Sequence, residues 1–245
     1  MISLVVPVYN EAANIQAFLR DVTNQVQKPH ELLIVYDFPE DNTLPAIAAM
    51  QPLCPNVRLV HNTLGRGVLN ALKAGFQASR GDVIVVMMAD CSDEPRDVPA
   101  MAQLVRAGAD VVAGSRYVSG GRQEGGPLLK RALSRLAGAS LYYLAGLPIR
   151  DVTNNFRAYS RRVVEEISIE SEAGFALALE LTLKAHWRGW RIAEVPTVWR
   201  DRTAGQSRFR LFAWLPHYLK WYLQALRRAW IAPQKNVSSL RSNGP

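Results

Sequence analysis

Apolar and polar positions follow two alternating periods through the first half of the chain. Short runs rich in Val, Ile and Leu, at residues 2–8, 31–36, 57–61, 82–88 and 110–114, have the composition of buried strands. Between them, at 13–25, 43–50, 67–78 and 97–107, apolar residues recur at the helical spacing. Strands that alternate with helices predict βαβ units, and so an α/β fold with a mainly parallel twisted sheet covered by helices on both faces.

The regular alternation ends after the strand predicted at 110–114. The segment 117–126 is rich in glycine and predicts a mobile loop over the site. Helices are predicted at 128–144 and 175–188, a short strand at 155–159, and an edge strand at 191–199 that Pro196 interrupts. The pattern thus predicts a main domain at 1–208, an amphipathic helix at 209–231, and a polar, disordered tail at 232–245.

Acidic residues follow two of the predicted strands. Glu11 comes shortly after the first strand, and Asp90, Asp93 and Glu94 follow the run at 82–88. Because the carboxyl ends of parallel strands meet at one edge, where open α/β sheets bind their ligands, we expect these carboxylates to share a site. A metal-bound phosphate ester suits them, which favours a nucleotide-sugar site.

Composition and charge narrow the class of protein. The chain has 245 residues, 49% of them hydrophobic, which is enough for one substantial core. Its net charge of +8 indicates an anionic partner: nucleic acid, an acidic membrane surface or a phosphorylated substrate. Nucleic acid is the weakest of these, because the basic residues are dispersed over loops and a helix rather than interleaved with aromatics along a sheet.

Cysteine usage and hydropathy bear on location. Cys54 and Cys91 form neither a CxxC pair nor a disulfide framework, which fits a reducing, cytoplasmic site. We see no secretory signal, and no apolar stretch reaches the roughly 18 residues of a spanning helix. We therefore expect peripheral contact with the cytoplasmic face of a membrane, made through the helix at 209–231. The alternative is that this helix packs on the main domain or on a partner subunit in an oligomer.

Several short motifs stand in a characteristic order. They are Val6-Pro-Val-Tyr-Asn-Glu-Ala12, Gly65-Arg-Gly67, Ala89-Asp90, Gly114-Ser-Arg-Tyr117, Asp151-Val-Thr-Asn-Asn-Phe-Arg157, Glu194-Val-Pro196 and Arg202-Thr-Ala-Gly-Gln-Ser-Arg208. In order and spacing they resemble the family-2 glycosyltransferases of the GT-A fold, and among these the dolichol-phosphate mannosyltransferase and polyprenyl-phosphate glycosyltransferase group. The resemblance extends to about Trp230.

The resemblance implies a nucleotide diphosphate sugar, with a GDP or UDP carrier, bound together with Mg²⁺ or Mn²⁺. It implies that Asp90 and Ser92 hold the metal. The implied donor contacts are Pro7, Tyr9, Glu11, Val35, Asp37, Ala89, Asp90, Arg116, Arg202 and Arg208.

Some of the residues keep a structural alternative. Glu11 suits the first turn of a helix, Asp90 suits a turn after a strand, and Arg116 and Arg131 taken singly suit a solvated surface. Asp41 and Asn42, in the turn after Asp37, suit a turn or a helix cap rather than a ligand site.

Two residues depart from the family pattern. Tyr36 and Met88 stand where the family has aspartates. Tyr36 either stacks on the base or packs in the fold. The loss at Met88 weakens the metal site without abolishing it, since Mg²⁺ commonly uses only one or two carboxylates, and Asp93 or Glu94 can compensate.

The resemblance further implies a polyprenyl phosphate acceptor, with Arg131 facing the lipid phosphate and Asp90, Arg116 and Arg131 as the catalytic residues. Such a phosphate is already anionic near neutrality, so an inverting displacement needs no general base. A hydroxyl acceptor would need one, and Glu180 is then the candidate. A degenerate, non-catalytic nucleotide-sugar binder is the alternative from another class.

Overall fold

The computed structural model describes residues 1–26, 29–50, 54–172, 174–202 and 211–231, with side chains in the last helix from residue 215. A single turn of 3₁₀ helix, Pro95–Asp97, leads into the fourth α-helix. The elements are β1 (Ile2–Pro7), α1 (Ala12–Gln25), β2 (His30–Tyr36), α2 (Thr43–Ala48), β3 (Val57–His61), α3 (Val68–Ala78), β4 (Val83–Val86), α4 (Val98–Arg106), β5 (Val111–Ser115), β6 (Arg122–Glu124), α5 (Leu128–Ala145), β7 (Arg157–Ser160), α6 (Arg161–Glu166), α7 (Ala176–Trp187), β8 (Ile192–Pro196), β9 (Val198–Arg200) and α8 (Leu211–Ile231).

A seven-stranded sheet in the order β3-β2-β1-β4-β7-β5-β8 forms the centre of the fold. β7 runs antiparallel to its neighbours β4 and β5, and the other pairings are parallel. The predicted mainly parallel α/β sheet is therefore confirmed. The carboxyl ends of β1, β2, β4 and β5 lie at the same edge, and the chain enters β7 there.

The two faces of the sheet are covered by different helices. Leu4 and Val6 of β1 lie in a buried cluster with α1, α2 and α4, whereas Val5 points to the other face, among α3, α6 and α7. This alternation is the period of two expected of a strand. α3 lies very close to the sheet, since a Cβ placed on Gly75 would be 2.3 Å from a methyl group of Val5.

Three differences from the predicted elements concern the second half of the chain. Residues 161–166 form a short helix, α6, that the sequence did not predict. The glycine-rich segment contains a strand, β6, which pairs in parallel with β9 as a separate two-stranded sheet. The predicted edge strand is two strands, because β8 ends at Pro196 and β9 begins at Val198.

α5 and α8 form a layer at one side of the sheet edge. Trp221 and Ala225 of α8 are buried against α5 and α7, so the helix packs on the main domain. Its other side carries exposed leucines, among them Leu215, Leu219 and Leu223. None of the helices in the described ranges combines the length and the apolarity needed to cross a bilayer. The predicted tail at 232–245 lies outside the described residues.

Candidate active site

A cavity of about 1210 Å³ opens at the carboxyl edge of the sheet. Its walls come from the loops after β1, β2, β4 and β5, from the segment before β7, and from α5 and α8. Nine predicted site residues line it: Pro7, Tyr9, Glu11, Asp37, Asp90, Ser92, Arg116, Arg131 and Arg202. Val35 and Ala89 lie in the core next to the cavity and do not line it, so their contact with a nucleotide stays a prediction. Arg208 lies outside the described residues.

Asp90 sits in a tight turn just beyond β4. Its Oδ1 accepts the backbone N–H of Ser92 at 3.1 Å, and its Oδ2 accepts a hydrogen bond from Nη2 of Arg202 at 2.7 Å. Cys91, between Asp90 and Ser92, has a φ of 58°, in the left-handed region that non-glycine residues rarely adopt. Asp90 therefore forms the turn after β4 and also lines the cavity, so its interpretation as a turn residue is compatible with a place in the site.

Asp93 is a further acid on the wall of the cavity. Its side chain is buried, and Oδ2 accepts the backbone N–H of Met88 at 3.1 Å. Burial, followed by the negative charge of Asp90, raises the pKa of Asp93 to about 7. Glu94 points elsewhere and forms ion pairs with Arg96 and Arg200.

The oxygen atoms at this turn suit a hard divalent cation. Asp90, Ser92 and Asp93 offer carboxylate and hydroxyl oxygens, the ligand type that Mg²⁺ and Mn²⁺ prefer. Within the described ranges, no group of three or more His, Cys, Asp or Glu residues is placed to enclose a metal by itself. The donor set thus fits an ion that takes its remaining ligands from phosphate oxygens and water.

The loop after β2 forms another wall. Oδ1 of Asp37 accepts a hydrogen bond from the Asn62 side chain at 2.7 Å, and Oδ2 accepts the backbone N–H of Gly67 at 2.8 Å. Tyr36 stacks on His61, with ring centroids 5.1 Å apart, and does not line the cavity. Of its two alternatives, packing in the fold is the one observed.

An aromatic group stands beside Asp37. Tyr9, 38% exposed on the cavity wall, meets the ring of Phe38 edge-on at 5.2 Å. The guanidinium of Arg66 lies over the ring of Phe38, 5.2 Å from its centroid. Sequence reasoning singled out neither Phe38 nor Arg66, although Arg66 stands within the quoted Gly65-Arg-Gly67 motif.

The loop after β1 is held in place by the turn after β2. Both oxygens of Asp41 accept the backbone N–H of Asn10, at 3.0 and 3.1 Å, and Oδ1 also accepts that of Thr43. The prediction of Asp41 as a turn former is confirmed. Glu11 is the N-cap residue immediately before α1 rather than a residue of its first turn, and it accepts a hydrogen bond from the Asn14 side chain at 2.7 Å while also lining the cavity.

Arg116 is paired with a buried acid that the sequence did not identify as its partner. Its Nε and Nη2 donate to the two oxygens of Asp151 at 2.7 and 2.8 Å, and Nη2 also donates to Thr153 and Ser134. Burial alone would raise the pKa of Asp151, but the adjacent Arg116 holds it below the ordinary value. The pair fixes the guanidinium at the cavity wall, and Ser134 connects it to α5.

Cationic and apolar side chains divide the rest of the cavity. Lys130 and Arg131 of α5 line the cavity together with Arg116 and Arg202. Apolar side chains from α5, α7 and α8 line it as well: Leu133, Leu136, Leu179, Leu215, Tyr218 and Leu219. The lining therefore has three parts: the acidic end, formed by the strand-end loops, the cationic middle, formed by these basic side chains, and the apolar extension, formed by the helices.

Glu180 does not face the cavity. It is fully buried in α7, where its oxygens accept the backbone N–H groups of Glu170 and Ser171 and the ammonium of Lys184. These bonds hold the segment before α7 against that helix. Since Glu180 is absent from the cavity lining, its structural role is the one that the geometry supports.

Solved structures share this fold. Glucosyl-3-phosphoglycerate synthase from Mycobacterium tuberculosis, crystallised with Mn²⁺, UDP and glucosyl-3-phosphoglycerate, matches with a TM-score of 0.69. The match covers 96% of this chain and 81% of that one at 21% identity, which shows the fold alone. The fold is the GT-A fold that the motifs predicted.

The sequence comparison identifies the family. The profile described as "Glycosyl transferase family 2" matches residues 3–168, and the chain belongs to that family. It is 29% identical over 231 residues to the dolichol-phosphate mannosyltransferase of Pyrococcus furiosus, covering 90% of this chain and 64% of that protein. It is 33% identical over 211 residues to the polyprenol monophosphomannose synthase of Mycolicibacterium smegmatis, covering 84% and 79%. The chain thus spans less than two thirds of the Pyrococcus relative, and the predicted class, glycosyltransferase, is confirmed.

Proposed function

We propose that this protein is an inverting glycosyltransferase that moves a sugar from a nucleoside diphosphate sugar to a polyprenyl phosphate at a membrane surface, with Mg²⁺ or Mn²⁺. The observation that carries the proposal is the continuity of the cavity. One cavity is lined by Asp90, by Arg116 and Arg131, and by leucines of α5 and α8. Transfer to a phosphorylated lipid needs these three kinds of surroundings together: a cation site for the leaving diphosphate, basic groups for the acceptor phosphate, and an apolar surface for the hydrocarbon chain.

The acidic end of the cavity suits the donor. Asp90 and Ser92 would hold the divalent cation, which when bound neutralises the diphosphate as it leaves. Arg202, which donates a hydrogen bond to Asp90, would contact the same phosphates. Tyr9 and Asp37 bracket the place where the base of the nucleotide would lie, with an aromatic face and a carboxylate.

The cationic middle suits a phosphate acceptor. An oxygen of the phosphate monoester attacks the anomeric carbon and forms the new C–O bond, while the bond from that carbon to the diphosphate breaks. The attacking oxygen is already ionised near pH 7, so the chain need only position it. Arg131, Lys130 and the preorganised guanidinium of Arg116 can do so by charge-assisted hydrogen bonds. The burial of Glu180 away from the cavity favours this acceptor over a hydroxyl.

Mannose is the first sugar to test, with GDP and UDP as alternative carriers. The relatives from Pyrococcus, Mycolicibacterium and Micrococcus luteus are named for mannosyl transfer to dolichol, polyprenol or undecaprenyl phosphate. All three names combine a prenyl phosphate with mannose. Their shared acceptor supports the lipid part of the proposal independently of the sugar.

The exposed faces of α5 and α8 support contact with a membrane. Leu128, Leu136 and Trp230 are 78%, 67% and 80% exposed. Basic residues, including Arg131 and Lys220, lie on the same two helices. An amphipathic surface of this kind binds in the interfacial plane of a bilayer, where leucines enter the acyl region and cations meet phosphates. We propose the cytoplasmic face, which agrees with the absence of a CxxC pair or disulfide framework from the sequence.

The test is a transfer assay with purified protein, Mn²⁺, undecaprenyl or dolichyl phosphate, and a mixture of GDP- and UDP-sugars. Mass spectrometry should detect a glycosylated lipid, which Asp90→Ala and Arg131→Ala should each abolish. Arg20→Ala, an exposed arginine on α1 outside the cavity lining, is the charge-matched control. Release of nucleotide without a lipid product would contradict the acceptor, and binding without turnover would indicate a degenerate binder.

A further inference from the structure

The proposed site of the divalent cation lacks a carboxylate at Met88. A methionine stands where the family pattern has an aspartate, so one carboxylate is missing from the turn after β4. The charge of the remaining acid, Asp90, is offset by Arg202, whose Nη2 lies 2.7 Å from Oδ2. A lone carboxylate that already neutralises an arginine is a weak ligand set for a divalent cation, since affinity rises with the number of charged ligands.

Asp93 lies at the position of this deficit. Its Oδ2 accepts the backbone N–H of Met88, so the carboxylate folds back over the residue that lacks one. The side chain is 7% exposed and lines the cavity beside Asp90 and Ser92. Within the part of the chain that the structure describes, Oδ1 of Asp93 accepts no hydrogen bond. Burying a carboxylate in this way costs free energy unless a partner compensates it.

The neighbouring acids Glu94 and Asp97, unlike Asp93, are paired with other side chains and do not line the cavity. Glu94 is bound to Arg96 and Arg200, and Asp97 accepts the hydroxyl of Thr197 at 2.6 Å. Neither lines the cavity. Asp93 is thus the acid of this segment that faces the donor end of the site with one oxygen available to a ligand.

We propose that Asp93 replaces the family carboxylate missing at Met88 and is the second acidic ligand of the divalent cation that accompanies the nucleotide diphosphate. The inference rests on the proposed function, because it presumes a cation-dependent donor site. It adds a ligand three residues after Asp90, whereas the family motif has its other aspartate two residues before.

The test is a measurement of Mn²⁺ affinity in the presence of GDP or UDP, from the electron paramagnetic resonance signal of free Mn²⁺. Asp93→Asn keeps the volume of the side chain and an oxygen for the N–H of Met88, but removes the charge. We expect Mn²⁺ to bind about tenfold or more weakly. Asp97→Asn removes the same charge from the same segment outside the cavity and should leave the affinity unchanged.

A rescue experiment separates a metal ligand from a merely structural acid. Met88→Asp in the Asp93→Asn background returns a carboxylate to the family position, and Mn²⁺ affinity should recover. Wild-type affinity in Asp93→Asn, an equal loss in Asp97→Asn, or no recovery with Met88→Asp would each overturn the inference. If the wild-type protein binds no Mn²⁺ with either nucleotide, the cation in the proposed function fails as well, and the two failures are thereby distinguished.

Discussion

The two ends of the cavity are built in different ways. At the proposed donor end, short loops follow parallel strands, and their carboxylates accept backbone N–H groups: Asp41 that of Asn10, Asp37 that of Gly67, and Asp90 that of Ser92. At the proposed acceptor end, two helices distant in sequence supply leucines, many of them exposed. The first end is therefore fixed by directional hydrogen bonds, while the second presents apolar surface that a flexible chain can contact without precise geometry.

Arg116 and Asp151 connect the two ends. The pair lies between the donor loops and α5, and Arg116 reaches Ser134 of α5 while lining the cavity. A buried ion pair with several hydrogen bonds has one strongly preferred arrangement.

Asp90→Asn should reduce sugar transfer by at least about 100-fold, because it removes the charge with which, in the proposed function, Asp90 would hold the cation. Steady-state transfer kinetics give the rate, and urea unfolding checks that the fold is retained. Glu166→Gln on α6, outside the cavity, is the control for loss of one acidic charge. A near-normal kcat in the Asp90→Asn variant would contradict the proposal that Asp90 holds the cation.

Asp151→Asn should lower the free energy of unfolding by about 3–5 kcal/mol, because it leaves the buried charge of Arg116 uncompensated. Urea denaturation at neutral pH measures the loss. Glu165→Gln disrupts an exposed ion pair with Arg161 and should cost less than about 1 kcal/mol. Similar losses for the two variants would mean that the connection between the ends is not held by this pair.

Leu128→Ser combined with Leu136→Ser should weaken binding to lipid vesicles by at least about tenfold and leave stability nearly unchanged, since both leucines are exposed. Vesicle sedimentation and thermal unfolding measure the two quantities. Leu141→Ala on the same helix should do the reverse, costing about 2–5 kcal/mol because Leu141 is fully buried. Vesicle binding that is insensitive to the double variant would contradict the membrane face.

His186→Gln tests the burial of His186 on α7 through the pH dependence of stability. Burial lowers the pKa of His186 below its ordinary 6.5. A hydrogen bond with the backbone of Ala145 partly opposes the shift, and the charge of Arg228 adds to it. The unfolded chain then binds the proton first, so wild-type stability should fall as pH drops below 6.5, and the variant should lose less. Urea unfolding between about pH 5 and 8 measures the difference, which we expect to be the smallest of the four. Parallel curves would show that His186 titrates alike in both states.

Most of the donor half was predictable, because both its strands and its polar residues are local features. The βαβ periods predicted the first five strands and the parallel sheet, and the position of Glu11 and Asp90 after predicted strands indicated the site. Asp37 was identified through the resemblance to the family. The sequence did not predict the partner of Arg116, because Asp151 lies 35 residues further along the chain. The role of Glu180 was left open for the same reason, as its partners at 170–171 belong to an irregular segment with no periodic signal.

The sequence by itself determined the sheet, the order of its motifs and the family, because hydrophobic periodicity and short motifs depend on residues close together in the chain. Only the tertiary structure decided which charges meet: Arg202 with Asp90, Arg116 with Asp151, and Asp93 beside Met88. It also decided that β7 runs antiparallel and that α5 and α8 form one apolar wall. These contacts join distant segments, and they depend on how the whole core packs.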